Sequence, residues 1–316
     1  MKRPLRILLR SLAVVSAGAL LIHIAAIRDM NRERSARRYL GDGLYTEVRG
    51  SGDPVVFLSG LEGSTRFWGD TFDDLAPRHR LIYADELGFG RSPWPKDINY
   101  TLDDQLNALR RTLVRLGATQ RVTFVAHSFG TVLAAHYAAR YPGEIERVIL
   151  LGTPVFDSRA QGMARIRQIS TLGATFTFNR ALGIAACTTM CAFRPLLRWL
   201  LPKLDRSRPA AVVSDSVLHD LGSVDGSVQI LLNDPIRKPL MALGGRAVLI
   251  HGRQDSVTPL ADVEALARGT GARMIAVDSD HHRYLENAGS VIRREIERPE
   301  SEQSRYRSEH SEISRR

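Results

Sequence analysis

Six short apolar runs recur along the chain, and helix-like segments separate them. Many of their residues are β-branched, and apolarity within a run is continuous rather than alternating, as in strands buried on both faces. Strands that alternate with helices predict an α/β fold, with a mostly parallel central sheet and helices on both of its faces. The runs cover residues 55–58, 81–84, 122–125, 148–151, 247–250 and 274–277.

Two helices are signalled clearly between these runs. Residues 102–116 carry apolar side chains at a spacing of three to four, which is typical of an amphipathic helix. Thr101 is a suitable N-cap with Asp104 three residues later, and Gly117 is a suitable stop. Residues 131–140 are rich in alanine and end near Pro142.

Residues 154–240 break the alternation of strands and helices. They contain helix-like patches such as 160–172 and 194–201, but no clear buried strand. We therefore predict a core in two parts, residues 44–153 and 241–297, with residues 154–240 forming a helical cap. Residues 298–316 are almost all Ser, Glu, Arg and His, and this composition predicts a disordered polar tail.

The N-terminus carries the signature of a membrane segment. Lys2, Arg3, Arg6 and Arg10 precede residues 11–27, in which His23 is the only ionisable residue. A helix over residues 11–27 would be about 25 Å long, and the mostly apolar residues 5–9 extend it towards the thickness of the bilayer core, about 30 Å. We predict a single-pass membrane anchor in residues 1–28 and a charged linker in 29–43. The alternative is a cleaved signal peptide, which gives a secreted or periplasmic protein.

The positive charge is concentrated at this end of the chain. Residues 1–38 contain nine Lys or Arg and two acidic residues, so they supply seven of the ten net positive charges. Basic residues around an apolar segment indicate attraction to lipid headgroups, and a nucleic-acid partner is not expected. Cys187 and Cys191 lie one helical turn apart without other ligand types nearby, so no metal site is expected.

A candidate nucleophile follows the third run. Residues 122–125 lead directly into Ala126-His127-Ser128-Phe129-Gly130, and the alanine-rich helix comes next. This is the pattern of a nucleophile elbow, with alanine in place of the first glycine. Small residues flank the serine at two positions because the turn brings backbone close to backbone. The elbow would place Ser128 at a helix N-terminus, where the helix dipole favours developing negative charge.

A serine nucleophile needs a base, and the base needs an orienting carboxylate. Asp255 lies on the loop after residues 247–250, and His281 lies on the loop after residues 274–277. The order serine, acid, histidine is that of the elbow-containing hydrolases. All three side chains are expected at the carboxyl ends of parallel strands, where such sheets build their sites.

Together these segments resemble the α/β-hydrolase fold superfamily, in its cap-bearing branch, over roughly residues 44–297. The resemblance also rests on residues 60–64, which are similar to an oxyanion loop, and on the loop 85–92. It implies that Ser128, Asp255 and His281 form a catalytic triad, with the backbone N–H groups of Leu61 and Phe129 as oxyanion donors.

Alternatives to two members of this triad remain open. The family histidine stands five residues before a glutamate, which selects His281 by reference to Glu286, with His282 as the alternative. Asp157 is the alternative acid. His127 and His251 are expected to have packing roles.

The chain departs from the family pattern at two positions. Ser59 stands where the family has a histidine, and its hydroxyl is expected to replace a structural hydrogen bond. Ala126 replaces the first glycine of the elbow. Neither change removes a catalytic group.

The expected function is hydrolysis of a carboxylic ester, including a lipid-like one, through an acyl-enzyme and without a cofactor. The same triad also serves C–C bond hydrolases, amidases, thioesterases and acyltransferases, and a non-catalytic ligand-binding protein of this fold is a further alternative. The sequence predicts neither the natural substrate nor the oligomeric state.

Overall fold

The computed structural model describes residues 43–169, 171–206 and 208–299, with scattered positions between 14 and 28. The predicted anchor (1–28) and linker (29–43) lie almost wholly outside the described residues, and so does the predicted tail beyond residue 299.

A central sheet of seven strands organises the described chain. Its spatial order is β1-β3-β2-β4-β5-β6-β7. β1 pairs with β3 in antiparallel fashion, and every other pairing is parallel. The six predicted runs all lie within strands β2 to β7, which confirms the predicted mostly parallel α/β fold. The strands are β1 Thr46–Arg49, β2 Asp53–Leu58, β3 His79–Ala84, β4 Val122–His127, β5 Ile145–Leu151, β6 Ala247–Gly252 and β7 Arg273–Val277.

The sheet is buried on both faces because successive side chains of a strand point to opposite sides. In β2, Val56 and Leu58 face one core and Val55 and Phe57 face the other. This arrangement explains why the strand sequences are continuously apolar.

Helices cover both faces of the sheet. The helix α1, Leu102–Arg115, is preceded by a capping box in which Thr101 and Asp104 satisfy each other's backbone N–H groups. Gly117, just beyond its end, has φ 63°, as the predicted stop requires. The core helices are α1 Leu102–Arg115, α2 Phe129–Arg140, α9 Leu260–Thr270 and α10 Tyr284–Glu297.

The described part of the segment between β5 and β6 consists mainly of α-helices joined by short loops. It contains α3 Arg159–Ile169, α4 Thr171–Phe178, α5 Arg180–Leu204, α6 Ala210–Asp215, α7 Leu221–Asn233 and α8 Arg237–Leu243. The patch predicted at 194–201 is part of the 25-residue helix α5, which contains Pro195 and Pro202. Of the helices in the described residues, one, at Ala181–Leu204, is long and apolar enough by length and composition to cross a membrane.

The order in which successive strands are added to the sheet reverses at β2. β3 lies on one side of β2 and the following strand, β4, on the other. In open α/β sheets such a switch point opens a crevice at the carboxyl ends of the strands. Residues 59–65 and 128–130 therefore border the same crevice.

Candidate active site

Ser128 occupies the sharp turn between β4 and α2. Its backbone angles, φ 49° and ψ −119°, lie in a region that costs a non-glycine residue conformational energy. The turn is held by hydrogen bonds from the Ser128 N–H to the Leu151 carbonyl and from the Thr131 N–H to the Ser128 carbonyl. The serine side chain therefore projects at the carboxyl edge of the sheet, beside the N-terminus of α2.

A steric constraint explains why the residue at position 130, just after the turn, is glycine. The Gly130 N–H donates to the Ser59 carbonyl at 3.0 Å. A Cβ atom at position 130 would lie 2.4 Å from that same oxygen. Glycine is thus required here so that α2 can approach the end of β2.

Three side chains predicted from the sequence form one hydrogen-bonded chain. His281 Nε2 lies 3.0 Å from Ser128 Oγ, and His281 Nδ1 lies 2.8 Å from Asp255 Oδ2. Asp255 and His281 are buried, whereas Ser128 is partly exposed. The serine is therefore the member of the set that a substrate can reach.

The environment of Asp255 favours its ionised form. Burial alone would raise the pKa of this carboxyl, but the hydrogen bond and charge of His281 outweigh burial and hold the pKa below its ordinary value of 3.8. Its Oδ1 atom also accepts from the N–H groups of Val257 and Thr258 at 2.8 and 3.1 Å. A fixed carboxylate of this kind can orient an imidazole and stabilise an imidazolium.

The loop after β2 lies against the serine. A Cβ atom built at Gly60 would be 3.1 Å from the Ser128 Cβ atom, so the backbone of residues 59–61 borders the site. Phe129 is the first residue of α2, and its N–H therefore has no partner within that helix. Leu61 thus follows Gly60 in the loop after β2, and Phe129 follows Ser128 after β4, so the two belong to neighbouring strand ends.

Ser59, the departure from the family pattern, makes a buried contact. Its hydroxyl donates to Glu86 Oε2 at 3.0 Å. Glu86 is fully buried, and burial raises the pKa of its carboxyl well above the ordinary value of 4.5. The loop after β2 is therefore tied to the loop after β3 through this pair.

The alternative residues lie outside the hydrogen-bonded chain. The His282 ring stands edge-on to the His281 ring, with centroids 5.2 Å apart. Its backbone N–H donates to Asp280. The Asp157 carboxylate is exposed and pairs with Arg237 at 3.2 Å.

Both histidines predicted to pack do more than fill space. His127 stacks on Phe67 and its Nε2 atom lies 2.7 Å from the His281 carbonyl oxygen. His251 Nε2 lies 2.9 Å from the Thr258 carbonyl oxygen. Burial lowers the pKa of both rings, which favours the neutral form, whose N–H can donate to these carbonyls.

Sequence reasoning missed Tyr284. Its hydroxyl donates to Asp255 Oδ2 at 2.9 Å and accepts from the Gly252 N–H at 2.8 Å. The residue is fully buried at the start of α10. The available signal was its position three residues after the candidate histidine.

Across the described ranges, no group of three or more His, Cys, Asp or Glu is arranged to hold a metal ion. Cys187 and Cys191 are free thiols within α5.

Comparison with known proteins agrees with the fold. Residues 53–288 match the family model of the alpha/beta hydrolase fold. The match covers well over half of the chain, so the protein belongs to the α/β-hydrolase fold family.

Similar proteins include two from Arabidopsis thaliana. The chain is 25 % identical to "Probable lysophospholipase BODYGUARD 1" over 77 % of its own length and 58 % of that protein. It is 30 % identical to "Probable lysophospholipase BODYGUARD 4" over 49 % of its length and 39 % of that protein. The chain thus spans less than two thirds of these relatives.

Among solved structures, the chain resembles the enol-lactonase from Burkholderia xenovorans LB400. The TM-score is 0.59 at 21 % identity, and the match covers 80 % of this chain and 95 % of the other. At this identity the likeness concerns the fold alone.

Proposed function

We propose that the protein is a serine hydrolase that cleaves a carboxylic ester through an acyl-enzyme intermediate. The observation that carries the proposal is the hydrogen-bonded chain from Ser128 Oγ through His281 to Asp255. A serine hydroxyl is a weak nucleophile, and this arrangement of base and carboxylate activates it.

In the first half-reaction, His281 accepts the Ser128 proton as Oγ attacks the ester carbonyl. Asp255 keeps Nδ1 protonated and stabilises the imidazolium that forms. His281 then returns the proton to the leaving alcohol, and the acyl group stays on Ser128.

In the second half-reaction, water replaces the alcohol. His281 takes a proton from water, which attacks the acyl-enzyme, and then returns it to Ser128 Oγ as the carboxylic acid leaves. In both steps we assign the Leu61 and Phe129 N–H groups to the oxyanion, and each such donor is worth about 10²–10³ in rate. The mechanism needs only side chains, backbone and water.

We further propose a lipid-like ester as the substrate class. The names of the two Arabidopsis relatives indicate lysophospholipid hydrolysis, and the inserted helices are rich in apolar residues such as Phe176, Phe178 and Leu182. The predicted membrane anchor in residues 1–28 would hold the enzyme next to such substrates. Resistance of the full-length chain to alkaline carbonate extraction from membranes tests the anchor separately.

The test is hydrolysis of nitrophenyl esters, from acetate to palmitate, by the full-length chain in detergent. We expect turnover with a maximum at one acyl length and a loss of at least about 10³-fold in kcat for Ser128→Ala. Ser290→Ala, which changes an exposed serine on α10, is the matched control and should keep full activity. If a folded chain turned over none of these esters, the proposal that the protein hydrolyses carboxylic esters would be contradicted.

A further inference from the structure

The outer face of helix α5 is apolar although it faces solvent. Five large apolar side chains, which we call the cap face, are each 43–71 % exposed: Leu182, Ile184, Leu196, Trp199 and Leu204. Only 17 % of the most apolar stretch of this helix is buried. Of the exposed α5 side chains that the structure describes, Lys203 alone is charged.

The opposite face of α5 is fixed to the protein. Gly183, Cys187 and Arg194 are buried, and Arg194 donates through Nε to the Val217 carbonyl at 2.9 Å. The Arg194 guanidinium also lies 4.8 Å from the centre of the Trp94 ring. With one side held in this way, α5 lies along the surface of the domain, as an interfacial helix does, and does not stand free as a membrane span would.

The segment of the chain that carries the cap face is basic. Residues 158–204 contain seven Lys or Arg and no Asp or Glu. Two of these basic groups lie over aromatic rings of the cap: Lys203 Nζ is 3.0 Å from the Trp199 ring centre, and the Arg167 guanidinium is 5.3 Å from that of Phe178. Basic side chains beside exposed apolar and aromatic ones complement an anionic lipid surface.

We propose that the cap face docks on an anionic phospholipid bilayer, with Trp199 inserted at the level of the acyl chains. This site is separate from the predicted N-terminal anchor and does not depend on the proposed esterase activity. Docking would place the bilayer next to the crevice, because α5 is linked to the site loop: Arg198 contacts Asp215 at 3.4 Å, and Asp215 accepts from Ser64 at 2.8 Å.

The tryptophans of the chain make the proposal measurable. Trp68 and Trp94 are buried, and Trp199 is 62 % exposed; the sequence has no other tryptophan. The full-length chain carrying Ser128→Ala, which prevents hydrolysis during the measurement, is mixed with vesicles containing brominated acyl chains. The vesicles contain about one third phosphatidylglycerol, enough anionic lipid to attract basic groups.

We expect bromine to quench the emission of Trp199, which is the part of the emission that Trp199→Phe lacks. Quenching should be clearly weaker with vesicles of pure phosphatidylcholine. Leu196→Glu or Ile184→Glu should reduce the quenching of Trp199 to less than about half, because a carboxylate is then forced towards lipid. Met241→Glu, at a position 61 % exposed on α8, is the matched control and should leave the quenching of Trp199 unchanged. Unchanged emission from Trp68 and Trp94 reports that each variant is folded.

Three results would overturn the proposal. One is quenching by brominated lipid that persists in Trp199→Phe. Another is a folded chain whose Trp199 emission is not quenched. The third is a dimer in light scattering that Leu196→Glu dissociates without any Trp199 quenching, which would assign the cap face to a second copy of the chain. Failure of the ester assay leaves this measurement unaffected, since it uses the serine variant.

Discussion

Asp255 Oδ2 receives two donors, His281 Nδ1 at 2.8 Å and Tyr284 Oη at 2.9 Å. One oxygen atom therefore fixes both the candidate base and the tyrosine that opens α10. The Tyr284 hydroxyl also accepts from the Gly252 N–H, so it connects the loop that carries the acid to the helix that follows the histidine. We assign Tyr284 a positioning role in the proposed reaction.

Replacement of Tyr284 by phenylalanine removes both hydrogen bonds without a large change in volume. We expect kcat to fall about tenfold and the free energy of unfolding to fall by about 1–3 kcal/mol, because a buried N–H loses its partner. Ester hydrolysis and urea unfolding measure the two effects. Tyr137→Phe is the control: Tyr137 is a buried tyrosine that bonds Glu144 and Arg110, and it should lose stability but keep kcat. Equal kcat losses in both variants would contradict the positioning role.

Glu86 predicts a distinctive pH dependence of stability. Burial raises the pKa of its carboxyl above the ordinary 4.5, so the native state keeps this proton to higher pH than the unfolded chain does. Its contribution to the free energy of unfolding therefore declines as pH rises above about 4.5, and this decline is absent in Glu86→Gln.

Thermal unfolding from about pH 5 to about pH 8 tests this linkage. The Tm of the wild type should fall relative to that of Glu86→Gln as pH rises. Glu286→Gln, at an exposed position on α10, should run parallel to the wild type. A constant difference between Glu86→Gln and wild type at every pH would contradict the assignment.

At the scale of elements, the turn from β4 into α2 packs tightly against the end of β2. Replacing Gly130 by alanine would place a Cβ atom 2.4 Å from the Ser59 carbonyl oxygen, so backbone must move. We expect a loss of about 1–3 kcal/mol in the free energy of unfolding, together with lower ester turnover because the loop after β2 shifts. Gly143→Ala, whose added Cβ meets nothing within 4 Å, is the control and should be neutral in both assays.

Local signals in the sequence account for much of this architecture. The buried strands β2 to β7 are apolar along their whole length, and the capping box of α1 can be read from Thr101 and Asp104 alone. β1 was missed because it is an edge strand with a single large apolar residue, Val48, among Thr46, Glu47 and Arg49. The full length of α5 was missed because Pro195 and Pro202 lie inside it, where proline normally ends a helix.

The candidate site likewise contains residues that local patterns predict and one residue that they do not. The candidate serine, acid and histidine were predicted because each follows a recognisable strand in a fixed order. The contact between Tyr284 and Asp255 joins residues 29 positions apart, and it exists only once β6 and β7 are paired. The spacing of three residues places Tyr284 near His281, but no local pattern encodes its hydrogen bond to Asp255.

At the scale of the whole molecule, one buried carboxylate joins the inserted helices to the core. Asp215, at the end of α6, accepts from Ser64 and Arg66 at 2.8 and 2.9 Å on the core side. It also contacts Arg198 of α5 at 3.4 Å. The cap and the loop after β2 therefore share Asp215 as a hydrogen-bonding partner.

Replacement of Asp215 by alanine should loosen this connection. We expect a loss of about 2 kcal/mol in the free energy of unfolding, since a buried hydrogen-bonded charge is removed while its arginine partners can turn to solvent. Hydrogen exchange should become faster in α5 and α6. Asp262→Ala removes a more exposed pair with Arg165 and should change stability by less than about 1 kcal/mol. Unchanged exchange in the Asp215 variant would show that other contacts hold the cap.

Covalent labelling by a fluorophosphonate, followed by peptide mass mapping, tests most directly whether Ser128 is an activated nucleophile. We expect a single adduct on the peptide containing Ser128, none on Ser128→Ala, and labelling at least about 100-fold slower in His281→Ala, because the base is missing. A folded chain that stays unlabelled, or that carries its adduct on another residue, would contradict the claim.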